Sequence, residues 1–333
     1  MRPYPLVMEP IYKAKVWGGR RLEKLGRELP EGVLIGESWE VADLAETSAE
    51  GGGGGDARSV IANGEMRGLT LAEAVRAMGV NLLGDMRLSE EGAFPLLAKY
   101  LDARENLSVQ AHPSPAYAKA HPKARLKTET WYVVDADPGA VIYRGFQPGV
   151  TKKDVEKAVR AGRGEGLEAL LRKVPVRAGD VHHLPSGTCH ALGAGVMVAE
   201  VQTPSDTTFR LWDWGREGRT LHVDAALECI DMHERGDAVR GPGHGRATVV
   251  KTEFYELAEW YIADGAEDVV HPAAERPAVW MVLRGEGRIV GEGTRDSTTR
   301  LHRGTTVVMP AMLKGARVEW ERDAHVLEIS FPG

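Results

Sequence analysis

The chain is 333 residues long, with 43% hydrophobic and 27% charged residues, which exceeds one average domain and excludes a disordered or fibrous protein. A formal net charge of −6, without any strong Lys/Arg run, excludes the electrostatic footprint of a nucleic-acid binder. Two cysteines, Cys189 and Cys229, are too few for a secreted disulfide framework, and no stretch has the length of a membrane span or the core of a signal peptide; a cytoplasmic protein without a membrane partner is expected.

The glycines at 51–55, flanked by Glu50 and Asp56, read as a loop insertion, because the Gly-Lys-Ser/Thr that continues a phosphate-cradling loop is absent. Thr70 with Glu73 three residues on is a capping-box pattern ahead of an amphipathic run, which predicts a short helix. Ser114-Pro115 predicts a second capped helix, with serine as N-cap and proline in the first helical position. Helices are also expected over 151–160 and 166–173, punctuated by Gly162, Gly164 and Gly166. Short β-branched or aromatic runs at 131–135, 141–143, 181–184, 196–202 and 207–214, separated by Gly, Pro and Asp, have the texture of a β-barrel or sandwich.

The sharpest spacing runs from Gly179 through Pro185 and Gly187 to His190. It resembles the second signature motif of the cupin superfamily, and a strand-turn-strand reading sends His190 into a barrel. Gly304 and Pro310, after a strand-like 279–283, look like a weaker second copy that lacks the downstream glycine and histidine. A helix over 221–232 and a Gly-rich, charged linker over 235–245 separate the copies. The expected fold is mainly β: two cupin-type jelly-roll barrels with helical insertions. Residues 1–245 form the metal-binding catalytic domain, and 246–333 a degenerate copy without metal ligands.

Three segments carry donor atoms: Gln110-Ala111-His112-Pro113, Lys127-Thr128-Glu129 and Gly187-Thr188-Cys189-His190. Two imidazoles and a carboxylate suit a divalent transition metal such as zinc and leave coordination positions open for chemistry. The same donor set describes the ferrous-iron triad of oxygenases, and a non-enzymatic sensor is a further alternative. Of the adjacent His182 and His183, strand alternation allows at most one to point towards the metal, and a core or solvent-facing role is expected. Cys189 is expected to pack away from the metal. Trp17 and Trp39 are expected to be packing residues, as large hydrophobes usually are.

Several blocks together resemble one family, the type I mannose-6-phosphate isomerases (phosphomannose isomerases) in their short bacterial form. They are Trp17-Gly18-Gly19, Gly36-Glu37-Ser38-Trp39-Glu40, Phe94-Pro95-Leu96-Leu97-Ala98-Lys99, Leu107 to Pro113, Lys127 to Tyr132, Pro185 to Ala191, and Glu200 to Arg216. The resemblance implies reversible conversion of mannose 6-phosphate to fructose 6-phosphate with one zinc per chain. It implies His112, Glu129 and His190 as metal ligands, joined by Gln110, with Arg210 as the catalytic arginine. It places Lys99, Ser108 and Lys127 in the substrate pocket. The implied partner is a small phosphorylated sugar, and the oligomeric state is left open.

Overall fold

The computed structural model describes residues 2–48, 53–121, 124–161, 164, 166–233, 236–263, 269–270, 276–291 and 298–332. The fold is mainly β, and its strands pair antiparallel. In the N-terminal part, a six-stranded sheet runs in the order Val181–Leu184, Glu129–Ala136, Val196–Gln202, Leu97–Ala103, Ile35–Val41, Ile11–Gly19. A five-stranded sheet runs Leu171–Pro175, Val141–Phe146, His190–Leu192, Val109–Ala111, Phe209–Trp212.

Both faces of the six-stranded sheet are covered, so its central strands are buried along their whole length. Alternate residues serve two different interiors. Leu101, Trp131, Val133, Val196 and Val198 pack with Ile142 and Leu192 of the five-stranded sheet. Tyr100, Tyr132, Ala199 and Val201 pack instead with Tyr255, Leu257, Val279 and Ile329 of the C-terminal part. A continuous core therefore joins the two halves. The outer face of the five-stranded sheet is covered by helices Lys152–Arg160, Leu167–Leu170 and Val223–Cys229 through Val155, Val159, Leu167, Ala226 and Leu227.

The C-terminal part has a six-stranded sheet, in the order Leu6–Val7, Thr306–Met309, Ala278–Arg284, Ala324–Ser330, Glu256–Ile262, Gly245–Lys251, and a four-stranded one. An apolar cluster including Trp280, Ile289, Leu301, Val318 and Val326 lies between them. Its first strand, Leu6–Val7, comes from the N-terminus and pairs with Thr306–Met309. A second tie is the buried Glu40 carboxylate, which accepts from Ser38 Oγ (2.6 Å), Thr306 Oγ1 (2.8 Å) and Arg27 Nη2 (2.5 Å).

The predicted caps are present. Thr70 and Thr151 each close a capping box, and Ser114 accepts from Tyr117 N–H with Pro115 in the first turn. The helix expected over 166–173 is corrected: only Leu167–Leu170 is helical, and Leu171–Pro175 is an edge strand, where Pro175 is tolerated. Residues 236–244 do not hang free as a linker, since Val239 bridges Val181 and Arg240 pairs with Asp180. Of the glycine run, Gly51 and Gly52 lie outside the described residues, as do Gly162 and Arg235. Among the described residues, no helix is long and apolar enough to cross a membrane.

Candidate metal centre and its cavity

Strand register aligns the candidate residues in two rows. In the five-stranded sheet, Arg144, His190, Gln110 and Arg210 are successive cross-strand partners. In the six-stranded sheet, His182, Trp131, Glu200, Lys99 and Trp39 form such a row, and Glu129 pairs with Gln202 two residues along, on the same face. The rows belong to the two sheets that share an apolar core, and the site occupies the polar end of that interior.

The turn before His190 needs its glycine: Gly187 has φ +89, and a Cβ there would lie 2.8 Å from Cys229 O. The turn brings His190 to the start of its strand, opposite Gln110, while Cys189 packs into the helix-covered core on the other side. His112 follows the strand Val109–Ala111, and Glu129 opens the strand Glu129–Ala136.

Ligand atoms of His112, Glu129 and His190 lie within 4.8 Å of one another, and all three residues are buried. His112 Nε2 is 3.2 Å from Glu129 Oε2, and His190 Nε2 is 3.1 Å from Glu129 Oε1. Each imidazole is oriented from behind, with His112 Nδ1 3.1 Å from Thr207 O and His190 Nδ1 2.9 Å from Thr188 O. A carbonyl can only accept, so Nδ1 carries the proton and the Nε2 lone pair faces the cluster, as a metal ligand requires.

Burial, then the Lys127 charge, lowers the His112 pKa to about 3, which keeps it neutral. Burial alone would raise Glu129, but Lys127, His112 and His190 outweigh it and hold the carboxylate well below its usual range. Neither Glu129 oxygen has a well-directed hydrogen bond. The nearest cation is the Lys127 ammonium, 2.6 Å from Oε2 and 3.2 Å from His112 Nε2. Buried acceptors that attract a lysine ammonium fit a divalent cation.

Gln110 stands beside this cluster. Its Nε2 is 3.3 Å from His190 Nε2, and its Oε1 accepts from Ser108 Oγ at 3.2 Å. In this orientation the amide nitrogen faces the centre, and exchanging amide O and N in place turns an oxygen towards it.

A cavity of about 370 Å³ lies beside the cluster, bordering it through Gln110 and Lys127, and is lined also by Lys99, Ser108, Glu200 and Arg210 among others. The sequence-predicted pocket residues are thus brought together. Trp17 and Trp39 are buried and also line it. Arg210 donates through Nη1 to Thr220 O at 2.6 Å. Lys99 Nζ lies 3.4 Å from Glu200 Oε1, 3.6 Å from Glu37 Oε2 and 4.6 Å from the Trp39 ring centre. Burial opposes its charge, but Glu200 and Glu37 raise its pKa.

A scan against family models matches residues 6–140 to the phosphomannose isomerase type I catalytic domain. The mannose-6-phosphate isomerase of Streptococcus mutans is 33% identical over 335 residues, covering 97% of this chain and 96% of that one. The chain belongs to the type I phosphomannose isomerases. A mannose-6-phosphate isomerase of Bacillus subtilis is 34% identical over 307 residues, covering 87% of this chain and 89% of its own. The crystal structure of a mannose 6-phosphate isomerase from Bacillus subtilis superposes with a TM-score of 0.83 at 27% identity, covering 98% of this chain and all of that one.

Within this type I phosphomannose isomerase scaffold, the structure adds residues that the motif reading does not select. Glu200 is buried, accepts from Trp131 Nε1 at 2.9 Å, and has its pKa raised by burial and by the Glu129 charge. Glu37 anchors Lys15 (3.2 Å) and accepts from Trp39 Nε1 (2.6 Å). Arg219 lines the cavity and pairs with Asp213 at 3.0 and 3.1 Å. Burial, then the nearby Arg210 charge, lowers the Arg219 pKa. Asp206 closes the rim by accepting from Ser48 N–H (2.7 Å) and Oγ (2.9 Å). Of these, Glu37, Glu200 and Asp206 stand inside recognised blocks, whereas Arg219 lies just past the last one.

His182 and His183 part ways as alternation requires. His183 Nδ1 is 3.0 Å from Thr130 Oγ1, on the sheet face away from the cavity. His182 is fully buried in the core, and neither ring nitrogen has a hydrogen-bond partner.

Proposed function

We propose that the protein is a zinc-dependent mannose-6-phosphate isomerase that interconverts mannose 6-phosphate and fructose 6-phosphate with one metal ion per chain. The observation that carries this reading is the convergence of His112, Glu129 and His190 directly behind Gln110 and Lys127, which line a cavity that also holds Lys99, Glu200 and Arg210. His112, Glu129 and His190 hold the metal, with Gln110 as a further ligand through its amide oxygen. When bound, zinc supplies Lewis acidity towards adjacent sugar oxygens.

The chain's own groups handle protons and charge. Glu200 takes the proton from C2 of the aldose and returns it to C1 of the ketose, a task suited to a buried carboxyl with raised pKa. The Lys99 ammonium and the Arg210 guanidinium stabilise the oxygen on which enediolate charge develops. The proton on O2 passes to O1 by way of Lys99. Ser108 and Lys127 bind sugar oxygens beside the centre. Arg219, partly buried near Arg210 on the cavity wall, grips the phosphate, because two neighbouring guanidiniums favour an anion between them.

The paired sheets support a cupin-type barrel for residues 1–245. Residues 246–333 are read as a degenerate second barrel whose interior is apolar where the first holds the site. The reducing cytoplasm is the proposed location, where the free Cys189 and Cys229 thiols persist. A coupled assay on zinc-loaded protein tests the function: conversion of mannose 6-phosphate supports it, and iron in the purified protein without conversion defeats it.

A further inference from the structure

One side chain of the C-terminal half reaches the strands that carry the metal centre. Tyr255 stands in the turn before strand Glu256–Ile262, where Thr252 Oγ1 donates to Tyr255 O (2.7 Å) and accepts from Tyr255 N–H (2.8 Å). Its ring is fully buried, and its hydroxyl meets the outer face of the N-terminal six-stranded sheet. There it donates to Val201 O at 2.9 Å and lies 2.9 Å from Thr130 Oγ1.

Proton counting fixes the direction of this chain. A tyrosine hydroxyl has one proton, and that of Tyr255 goes to Val201 O, so Tyr255 accepts from the Thr130 hydroxyl. Thr130 in turn accepts from His183 Nδ1–H at 3.0 Å. His183, Thr130 and Val201 are cross-strand partners in one row. Thr130 is flanked by Glu129 and Trp131, and Val201 by Glu200 and Gln202. Alternation puts those neighbours on the inner face, directly behind which the hydroxyl chain lies.

We propose that Tyr255, acting through Thr130 and His183, is a positioning residue that fixes the strands bearing Glu129 and Glu200, and that this is what the C-terminal half contributes to the site. The inference rests on reading His112, Glu129 and His190 as the metal centre. A ligand carboxylate must be held to within about 0.5 Å for productive geometry, and groups outside the ligand set are what hold it there. A tyrosine that merely filled the core would affect the melting temperature and leave metal affinity alone.

The test uses full-length protein. Zn²⁺ affinity is measured by chelator competition, and the visible spectrum of the Co²⁺-loaded form reports ligand geometry. Tyr255→Phe, which keeps the ring, is expected to raise the Zn²⁺ Kd about tenfold and shift the Co²⁺ bands. Thr130→Val is expected to do the same, whereas Thr130→Ser, which restores the hydroxyl, keeps the wild-type Kd. Should Tyr255→Phe fail to fold, the contrast between the two Thr130 variants decides. Wild-type Kd and Co²⁺ spectrum in Thr130→Val, or in a folded Tyr255→Phe, overturn the proposal. A wild-type protein that takes up no stoichiometric metal overturns the metal centre itself, whatever the variants do.

Discussion

Glu200 and Lys99 are direct cross-strand partners on adjacent antiparallel strands, with Lys99 Nζ 3.4 Å from Glu200 Oε1. Opposed positions in a sheet lie close enough for side chains to meet without loop movement, so the register itself builds this ion pair. Glu200→Gln keeps the shape and the hydrogen bond from Trp131 but removes the proton acceptor. Its kcat should fall about 10²- to 10⁴-fold with metal content unchanged. Steady-state kinetics beside metal analysis check this, and a kcat close to that of the wild type removes Glu200 from proton transfer.

His190→Ala and Arg210→Ala should fail in different ways. The first deletes a buried donor from the cluster and should lose stoichiometric zinc. The second should retain zinc and fold while kcat falls about 10²- to 10³-fold, the size seen when a charge-stabilising donor is removed. Metal analysis and circular dichroism separate the two; zinc retained by His190→Ala contradicts the ligand assignment.

Arg219 is assigned to phosphate. Arg219→Ala should raise KM for mannose 6-phosphate about ten- to a hundredfold with a smaller change in kcat, as expected for the loss of a charged hydrogen bond worth about 1.5–3 kcal/mol. Inorganic phosphate should inhibit the wild type more strongly than the variant. Equal inhibition of both places the phosphate elsewhere.

The turn that carries the candidate ligand His190 is legible in the sequence because its chemistry is local. Pro185 and Gly187 shape a turn that only glycine fits, and the turn delivers His190 to its strand. The capping boxes at Thr70 and Thr151 are equally local. What stays hidden depends on long-range register. The row Trp131, Glu200, Lys99, Trp39 is assembled from strands far apart in sequence, and no window along the chain contains it. Likewise, Leu6–Val7 joins a sheet whose other strands begin at residue 245. Residues 171–173 read as helix because an edge strand in which only Leu171 is buried carries little apolar signal of its own.

Acid stability should report on His182. Burial first, then the Arg144 charge, depresses its pKa to about 4, against about 6.5 in an unfolded chain. Between those values the unfolded chain binds the extra proton. Stability from this residue is therefore intact above pH 6.5 and is lost as pH falls towards 4, by up to about 3 kcal/mol. Both ring nitrogens lack partners, so His182→Leu removes a buried polar penalty. Denaturant midpoints measured from about pH 7 to 4 should fall less steeply in the variant, and parallel curves would contradict the assignment.

The central claim is that His112, Glu129 and His190 hold one zinc ion at a site that isomerises a phosphorylated aldose. The most direct measurement is the coupled conversion of mannose 6-phosphate to fructose 6-phosphate during titration of metal-free protein with zinc. Activity should rise from background and reach a plateau at one equivalent per chain. Conversion that is independent of zinc, or absent at full occupancy, would contradict the account.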